Sequence, residues 1–380
     1  MHLTALLACH DRRELTLRCL RSLFAVVPDG VRLDAVLVDD GSSDGTADAV
    51  AALGLPVTIV RGDGSWFWSR SLAEAERVAE THDPDALLWL NDDVRLDPGA
   101  LMLLVAGHDA HPDSILVGPL RTERSGRTVY GGWRLEGGRV FGTRLEPADG
   151  AYRPVDVFHG NLVLVPRSAR RRIGPVDGTW AHQFADLDDA LRAVDAGVSA
   201  FQLPLSVGTC QPVLSVWDDP RRTRWQRVRM VVGRRAWPLR STTRFWWRHR
   251  RHVGAAGVLT PYRRSWSPPE LTEEELAAVE AAESGSPSGD APAQDGNGAS
   301  MVSPVCWVST VKVETPDAAS ANPDSWTSRG ARQTRRSGSS DEPTGTPAET
   351  RHPQRDGGVR RRLRCRCPSG SAPTPGHPDA

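Results

Sequence analysis

The sequence predicts an α/β fold, a mostly parallel sheet flanked by helices, followed by a basic C-terminal helical extension and a disordered tail. Three observations predict it. Short apolar runs alternate with stretches of helical periodicity from Leu3 to about Val105, the pattern of successive strand–helix units. Between Pro220 and Pro269 there are fourteen Arg and no Asp or Glu, interleaved with Trp225, Trp237, Phe245, Trp246, Trp247 and Trp266. From Ser284 onward Ser, Pro, Gly, Ala, Asp and Arg dominate, and too few large apolar groups remain to offset chain entropy. The expected boundaries are 1–215 for the α/β domain, 216–283 for the Arg- and Trp-rich extension and 284–380 for the tail. The tail's composition suits a natural linker and a shifted reading frame equally.

Leu3 to Cys9 is an apolar run suited to a buried parallel strand, and the loop His10-Asp11-Arg12 follows it. Leu15, Leu17, Leu20, Leu23 and Phe24 then recur at helical spacing. Ala35 to Val38 forms the second strand and runs into Asp39-Asp40-Gly41-Ser42-Ser43-Asp44-Gly45, where Ser43 or Asp44 can cap a helix through Leu53. Val57 to Val60 is the third strand, with a helix from about Ser69 to Thr81 after it. Ala86 to Leu90 is the fourth and ends in Asn91-Asp92-Asp93; Pro98 then opens the next helix. Beyond Val105, Ile115 to Gly118 reads as a strand and Thr128 to Leu145 as irregular or hairpin structure. Val155 to Phe158 and Leu162 to Val165 read as paired strands bent at Gly160. Leu187, Leu191 and Val194 mark one face of a helix, and Phe201 to Leu205 is the last strand.

Composition narrows the function. The six Cys show no framework or zinc spacing. No apolar run approaches the roughly 20 residues of a spanning helix, so the expected location is cytoplasmic, free or peripheral on the inner face of a membrane. The formal charge is zero overall, but the Arg-rich extension calls for an anionic surface.

Acidic residues stand at matching strand ends: Asp39 and Asp40, then Asp92 and Asp93, with Asp186 and Asp188 at a later helix start. Open α/β sheets bind ligands at their carboxyl edge. Two adjacent carboxylates stay ionised there with a cation or strong donors close by, and a hard cation such as Mg²⁺ takes one or two carboxylates plus phosphate oxygens. A solvated Asp-rich turn is the bland alternative for any one pair alone. Neither common Gly-rich phosphate loop is present. A carboxylate for the nucleoside, a metal for the diphosphate and a separate carboxylate base suit transfer from a nucleotide-activated donor.

The segments LTALLACHDR (Leu3 to Arg12), VLVDDGSSDGTA (Val36 to Ala47), LWLNDDVRLDPGAL (Leu88 to Leu101), HGNLVLVP (His159 to Pro166) and ADLDDALRA (Ala185 to Ala193) together resemble family 2 glycosyltransferases in type, order and spacing. Gly64 to Arg70 and the Val207-Gly208-Thr209-Cys210 ending resemble the rhamnosyltransferase-like subgroup. The resemblance covers about Leu3 to Thr209. It implies a GT-A fold and inverting transfer of a sugar from a UDP- or dTDP-linked donor to a saccharide or lipid-linked acceptor in cell-surface polysaccharide synthesis, with Mg²⁺ or Mn²⁺ as cofactor. Carried over residue by residue, it implies that Asp39 binds the pyrimidine ring and that Cys9, His10 and Arg12 line the same pocket. Asp93 would be a metal ligand, Asp92 would contact ribose or the metal's waters, Asp186 would be the general base and Asp188 would hold or polarise that region. Asp11, where the family commonly carries Asn, stays outside the binding set.

Other residues have two readings. Asn161 suits a sugar hydroxyl or a turn, and His182 suits packing better than a metal. Trp66 and Trp68 suit a sugar face or the core. For the extension, residues 220–267, an anionic membrane surface leads, a solvated helix pair follows, and nucleic acid is the least favoured. Two functions compete with glycosyl transfer: a sugar nucleotidyltransferase, whose product would be pyrophosphate, and a catalytically silent membrane- or RNA-binding protein on the same fold.

Overall fold

The structure, a computed structural model, describes residues 1–135, 145–180, 184–211, 222–233, 237–254 and 259–267. The expected tail over 284–380, the end of the extension from 268 and the reading of His182 lie outside the described residues. All described residues belong to one compact unit spanning Met1–Glu314.

The four predicted strands form as β1 (His2–Cys9), β2 (Arg32–Asp39), β3 (Val57–Arg61) and β4 (Ala86–Leu90), with helices α1 (Arg13–Ala25), α2 (Thr46–Ala51), α3 (Phe67–Ala79) and α4 (Ala100–Ala110) between or after them. After β4 come β5 (Arg95–Leu96), β6 (Ile115–Val117), β7 (Leu120–Arg121), β8 (Thr128–Tyr130), β9 (Gly132–Trp133), β10 (Arg153–Val155), β11 (Val157–Phe158) and β12 (Leu162–Pro166). Helices α5 (Arg167–Ile173) and α6 (Ala185–Asp195) follow, then β13 (Ala200–Gln202) and β14 (Gly208–Thr209). The extension supplies α7 (Arg224–Val231), α8 (Leu239–His249) and α9 (Thr260–Trp266).

The main sheet has eight strands in the order β10-β13-β6-β12-β4-β1-β2-β3. Strands β1 to β4 pair in parallel, as predicted. The sheet is mixed further out, because β12 runs antiparallel to both β4 and β6. Two small sheets, β5-β14-β7-β8 and β11-β9, lie beside it in the topology. Period-two alternation divides the core. Leu3, Ala5, Leu7 and Cys9 of β1 pack with α1, Val50 of α2 and α4 on one face. Leu6 and Ala8 pack with α3, α5 and α6 on the other.

The extension joins that second layer. Phe184, at the start of α6, lies 4.6 Å from Trp237 and 4.9 Å from Phe245 between ring centroids, and Trp180 lies 5.8 Å from Phe245. These rings carry large apolar area, so α8 is docked by packing and is not merely a solvated helix. The register places Cys9 beside Asp39 at the carboxyl edge. β12 arrives beside β4 from the opposite direction, so Asn161 sits at the same edge and its carbonyl accepts from the Asn91 N–H at 3.0 Å.

Candidate active site

Each acid at the sheet edge has its own job. Asp39 is buried and accepts from the Ser42 N–H at 3.0 Å, which turns the loop after β2. Asp40 accepts from Gly64 at 2.8 Å and from Trp66 and Phe67 at 2.9 Å. It latches the loop before α3, where Phe67 takes φ 55°, a conformation strained for a bulky residue and kept only where surroundings fix it. The two loops meet so closely that a Cβ on Gly41 would lie 2.7 Å from the Gly64 nitrogen. Asp40's structural duty was not singled out in the sequence; its adjacency to Asp39 gave no sign of which carboxylate serves the loop.

The loop after β1 is tied to the same place. His10 Nδ1 donates to the Asp40 carbonyl at 2.7 Å. Asp11 accepts from the Ser43 N–H at 2.6 Å, so its carboxylate turns to the neighbouring loop. Cys9 is fully buried in the core beneath the edge, and burial and the nearby carboxylates push its thiol pKa up. It supports the edge from below instead of lining it with its side chain.

Arg12 crosses from this loop to the acidic pair. Its Nη1 lies 3.0 Å from Asp92 Oδ1 and its Nη2 lies 3.0 Å from Asp93 Oδ2. The other Asp93 oxygen takes the Cys210 thiol at 3.4 Å. Asp92 is 1 % exposed; burial pushes its pKa up, Arg12 counters this and Asp93 adds to it. Among the described residues no three His, Cys, Asp or Glu form a metal-holding group. The Arg12 guanidinium already bridges the two expected metal ligands, so as they stand they do not fit a divalent cation.

Asp186 lies at the start of α6, 1 % exposed, and its oxygens accept from the Leu187 N–H at 2.8 Å and the Gly160 N–H at 3.2 Å. Gly160 has no room for a side chain: a Cβ would lie 2.7 Å from the Trp68 ring and 3.3 Å from Asp186 Cβ. Trp68 is core, edge-on to Trp89 at 6.1 Å, and its indole N–H donates to Asn91 Oδ1 at 3.0 Å. The Asn91 Nδ2 and both side-chain polar atoms of Asn161 are buried without a hydrogen-bond partner, an arrangement that buried amides seldom keep.

Asp188 departs from the catalytic expectation. It is fully buried, accepts from Arg192 Nε at 2.9 Å and His249 Nε2 at 2.8 Å, and lies 3.3 Å from Arg248 Nε. It anchors the extension to α6. Next to it Asp189 accepts from Arg170 Nη1 and Nη2, each at 2.8 Å, and Arg170 Nε lies 3.5 Å from Glu76. Asp189, Arg170, Glu76 and His249 were not anticipated from sequence, since no local motif announces partners 19 to 94 residues apart.

These features define a class first: an α/β enzyme fold whose carboxyl edge gathers Asp39, the Asp92 and Asp93 pair and Asp186. Residues 4–169 match the model of Glycosyl transferase family 2. It is 27 % identical over 218 residues to N-acetylglucosaminyl-diphospho-decaprenol L-rhamnosyltransferase of Mycobacterium tuberculosis, covering 50 % of this chain and 69 % of that protein. Among solved structures it is similar to the mannosyltransferase PcManGT from Pyrobaculum calidifontis in complex with GDP-Man and Mn²⁺, at 18 % identity over 76 % of each chain and a TM-score of 0.43. It is also similar to S. aureus TarS 1-349 in complex with UDP-GlcNAc, at 13 % identity over 70 % of this chain and 78 % of that one, with a TM-score of 0.44.

Proposed function

We propose that the chain transfers a sugar, with inversion, from a UDP- or dTDP-linked donor to a lipid-diphosphate-linked saccharide in cell-surface polysaccharide synthesis. The rhamnosyltransferase of M. tuberculosis, whose name gives a diphospho-decaprenol acceptor, favours rhamnose as the sugar. The observation that carries the reading is the setting of Asp186. Its two oxygens accept the Gly160 and Leu187 N–H groups, which hold the carboxylate in a fixed orientation at the carboxyl edge. In this mechanism Asp186 takes the acceptor hydroxyl's proton. The freed oxygen bonds to the anomeric carbon from the face opposite the diphosphate, and the bond from that carbon to the diphosphate breaks, its electron pair leaving with the nucleotide. Asp39 and the His10 loop would hold the nucleoside, and the unpartnered amide of Asn161 would read a sugar hydroxyl.

Purified protein given dTDP-rhamnose or a UDP-sugar and a lipid-diphosphate-linked N-acetylglucosamine should release nucleoside diphosphate. Asp186→Asn keeps the shape and removes the base, so turnover should fall by about 10²–10⁴-fold. Pyrophosphate as product, or full activity in that variant, would overturn the reading.

A peripheral place on the cytoplasmic face of a membrane suits such an acceptor. Trp225, Leu239, Trp247, Leu259 and Trp266 of the extension are all exposed, and Arg240, Arg250 and Arg251 flank Leu239 and Trp247 on or beside α8, an interfacial pattern. No helix among the described residues is long and apolar enough to cross a membrane. The protein should sediment with phosphatidylglycerol vesicles and not with phosphatidylcholine, and Trp225→Ala with Trp247→Ala should weaken this; equal sedimentation with both lipids would count against the surface.

A further inference from the structure

We propose that Arg12 is the resident cation of the Asp92 and Asp93 pair and keeps divalent metal out of it while no donor is bound. The acidic pair looks like a cation site in sequence, yet the chain supplies its own cation. One guanidinium nitrogen lies 3.0 Å from each carboxylate, a forked contact for which Arg is better shaped than Lys. The Arg12 side chain is only 12 % exposed, and those of Asp92 and Asp93 are 1 % and 6 % exposed, so water screens the three charges poorly. A Mg²⁺ ion sits about 2.1 Å from its carboxylate oxygens. Placed on either bridged oxygen it would be pressed against the guanidinium. The second Asp93 oxygen already faces the Cys210 thiol at 3.4 Å.

The backbone of Arg12 is fixed while its side chain reaches across. Its carbonyl accepts from the Thr16 N–H at 2.9 Å and the Thr16 hydroxyl at 3.0 Å. The side chain alone must therefore move for the pair to open. If the edge is the donor site, as proposed above, incoming phosphates offer the guanidinium another anionic partner, and nucleotide and metal would then each favour the other's binding by the same factor. The exclusion itself does not depend on glycosyl transfer.

Its test reads bound Mn²⁺ directly, by electron paramagnetic resonance of the full chain without nucleotide. Wild type should bind none at this pair. Arg12→Gln, which keeps polar bulk and removes the charge, should gain one site, with affinity up by about a hundredfold or more for loss of a unit charge a few ångströms away. Adding Asp93→Asn to that variant should abolish the gain. Arg12→Lys keeps the charge without the fork and should fall between, which serves if the Gln variant does not fold. A Mn²⁺ site in wild type that Asp93→Asn removes would overturn the proposal, as would a folded Gln or Lys variant that binds none. Activity is not read, so failure here is distinct from failure of the transferase reading.

Discussion

Replacing Asp188 with Ala separates two jobs that a carboxylate at the start of α6 can have, serving an acceptor or holding the extension. Burial alone would push its pKa up, but the bond from His249 and the charges of Arg192 and Arg248 outweigh it and hold the carboxyl below its usual range. Removing one partner from a buried ion pair costs about 3–5 kcal/mol when the other is left uncompensated. Two of the three partners here are not abandoned: Arg192 keeps Asp189 at 2.6 Å, and Arg248 keeps Asp177 at 2.8 Å. Only His249 is left without an anionic contact among the described residues, which lowers the expected loss to about 2–3 kcal/mol. At about 2–4 °C per kcal/mol for a unit of this size, the melting temperature should fall by about 4–12 °C. The sign with pH follows from the depressed pKa. The stability Asp188 contributes is present above its ordinary value of 3.8 and is lost as pH falls through the folded value, so wild-type and variant melts should converge below about pH 4. Circular dichroism melts at neutral and acid pH make the comparison. A variant that melts with wild type at neutral pH, or that loses turnover about a thousandfold with an unchanged melt, would refute the anchoring argument.

Glu76 should show the opposite pH sign: burial pushes it up to about 6 from 4.5, so its contribution is full below pH 4.5 and lost as pH rises through 6. Glu76→Gln should therefore gain about 2 kcal/mol relative to wild type between those limits, read by urea titration at each pH. Gly160→Ala would drive a methyl into Trp68 and towards Asp186; turnover should fall about tenfold or more through misplacement of the base, while calorimetry shows donor binding unchanged. Asp40→Asn cannot accept all three N–H groups of the α3 loop, and hydrogen exchange at Gly64, Trp66 and Phe67 should quicken by an amount equivalent to about 2–4 kcal/mol.

The parallel half of the sheet was legible because its strands are apolar runs of fitting length, each ending in an acid or a turn, with helical periodicity between them. Strand β12 was not legible as antiparallel, since Leu162-Val163-Leu164-Val165 is as apolar as any parallel strand and direction is set by what it pairs with. Helix α5 escaped because Arg167-Ser168-Ala169-Arg170-Arg171-Arg172-Ile173 buries only Ala169, Arg170 and Ile173, too sparse a stripe to read as periodicity. At the site, the positions of Asp39, Asp92, Asp93 and Asp186 at one edge followed from strand ends, whereas their partners did not. Arg12 reaches residues 80 and 81 positions away, and its hold on them exists only after β1 and β4 pair.

The run Asp186-Leu187-Asp188-Asp189 shows why three acids in one motif carry three duties. Successive residues of a helix turn by about 100°, so carboxylates one to three positions apart meet different layers. Asp186 faces Gly160 at the sheet edge, Asp188 faces His249 of α8, and Asp189 faces Arg170 of α5. Arg192 then ties the last two together on α6 itself. The helix that presents the proposed base is thus clamped on one side by α3 and α5 through Glu76 and Arg170, and on the other by the basic extension. A force that lifts α8 must break the contacts of Asp188 two residues from Asp186, which couples the exposed Arg and Trp surface to the reacting edge through one turn of helix.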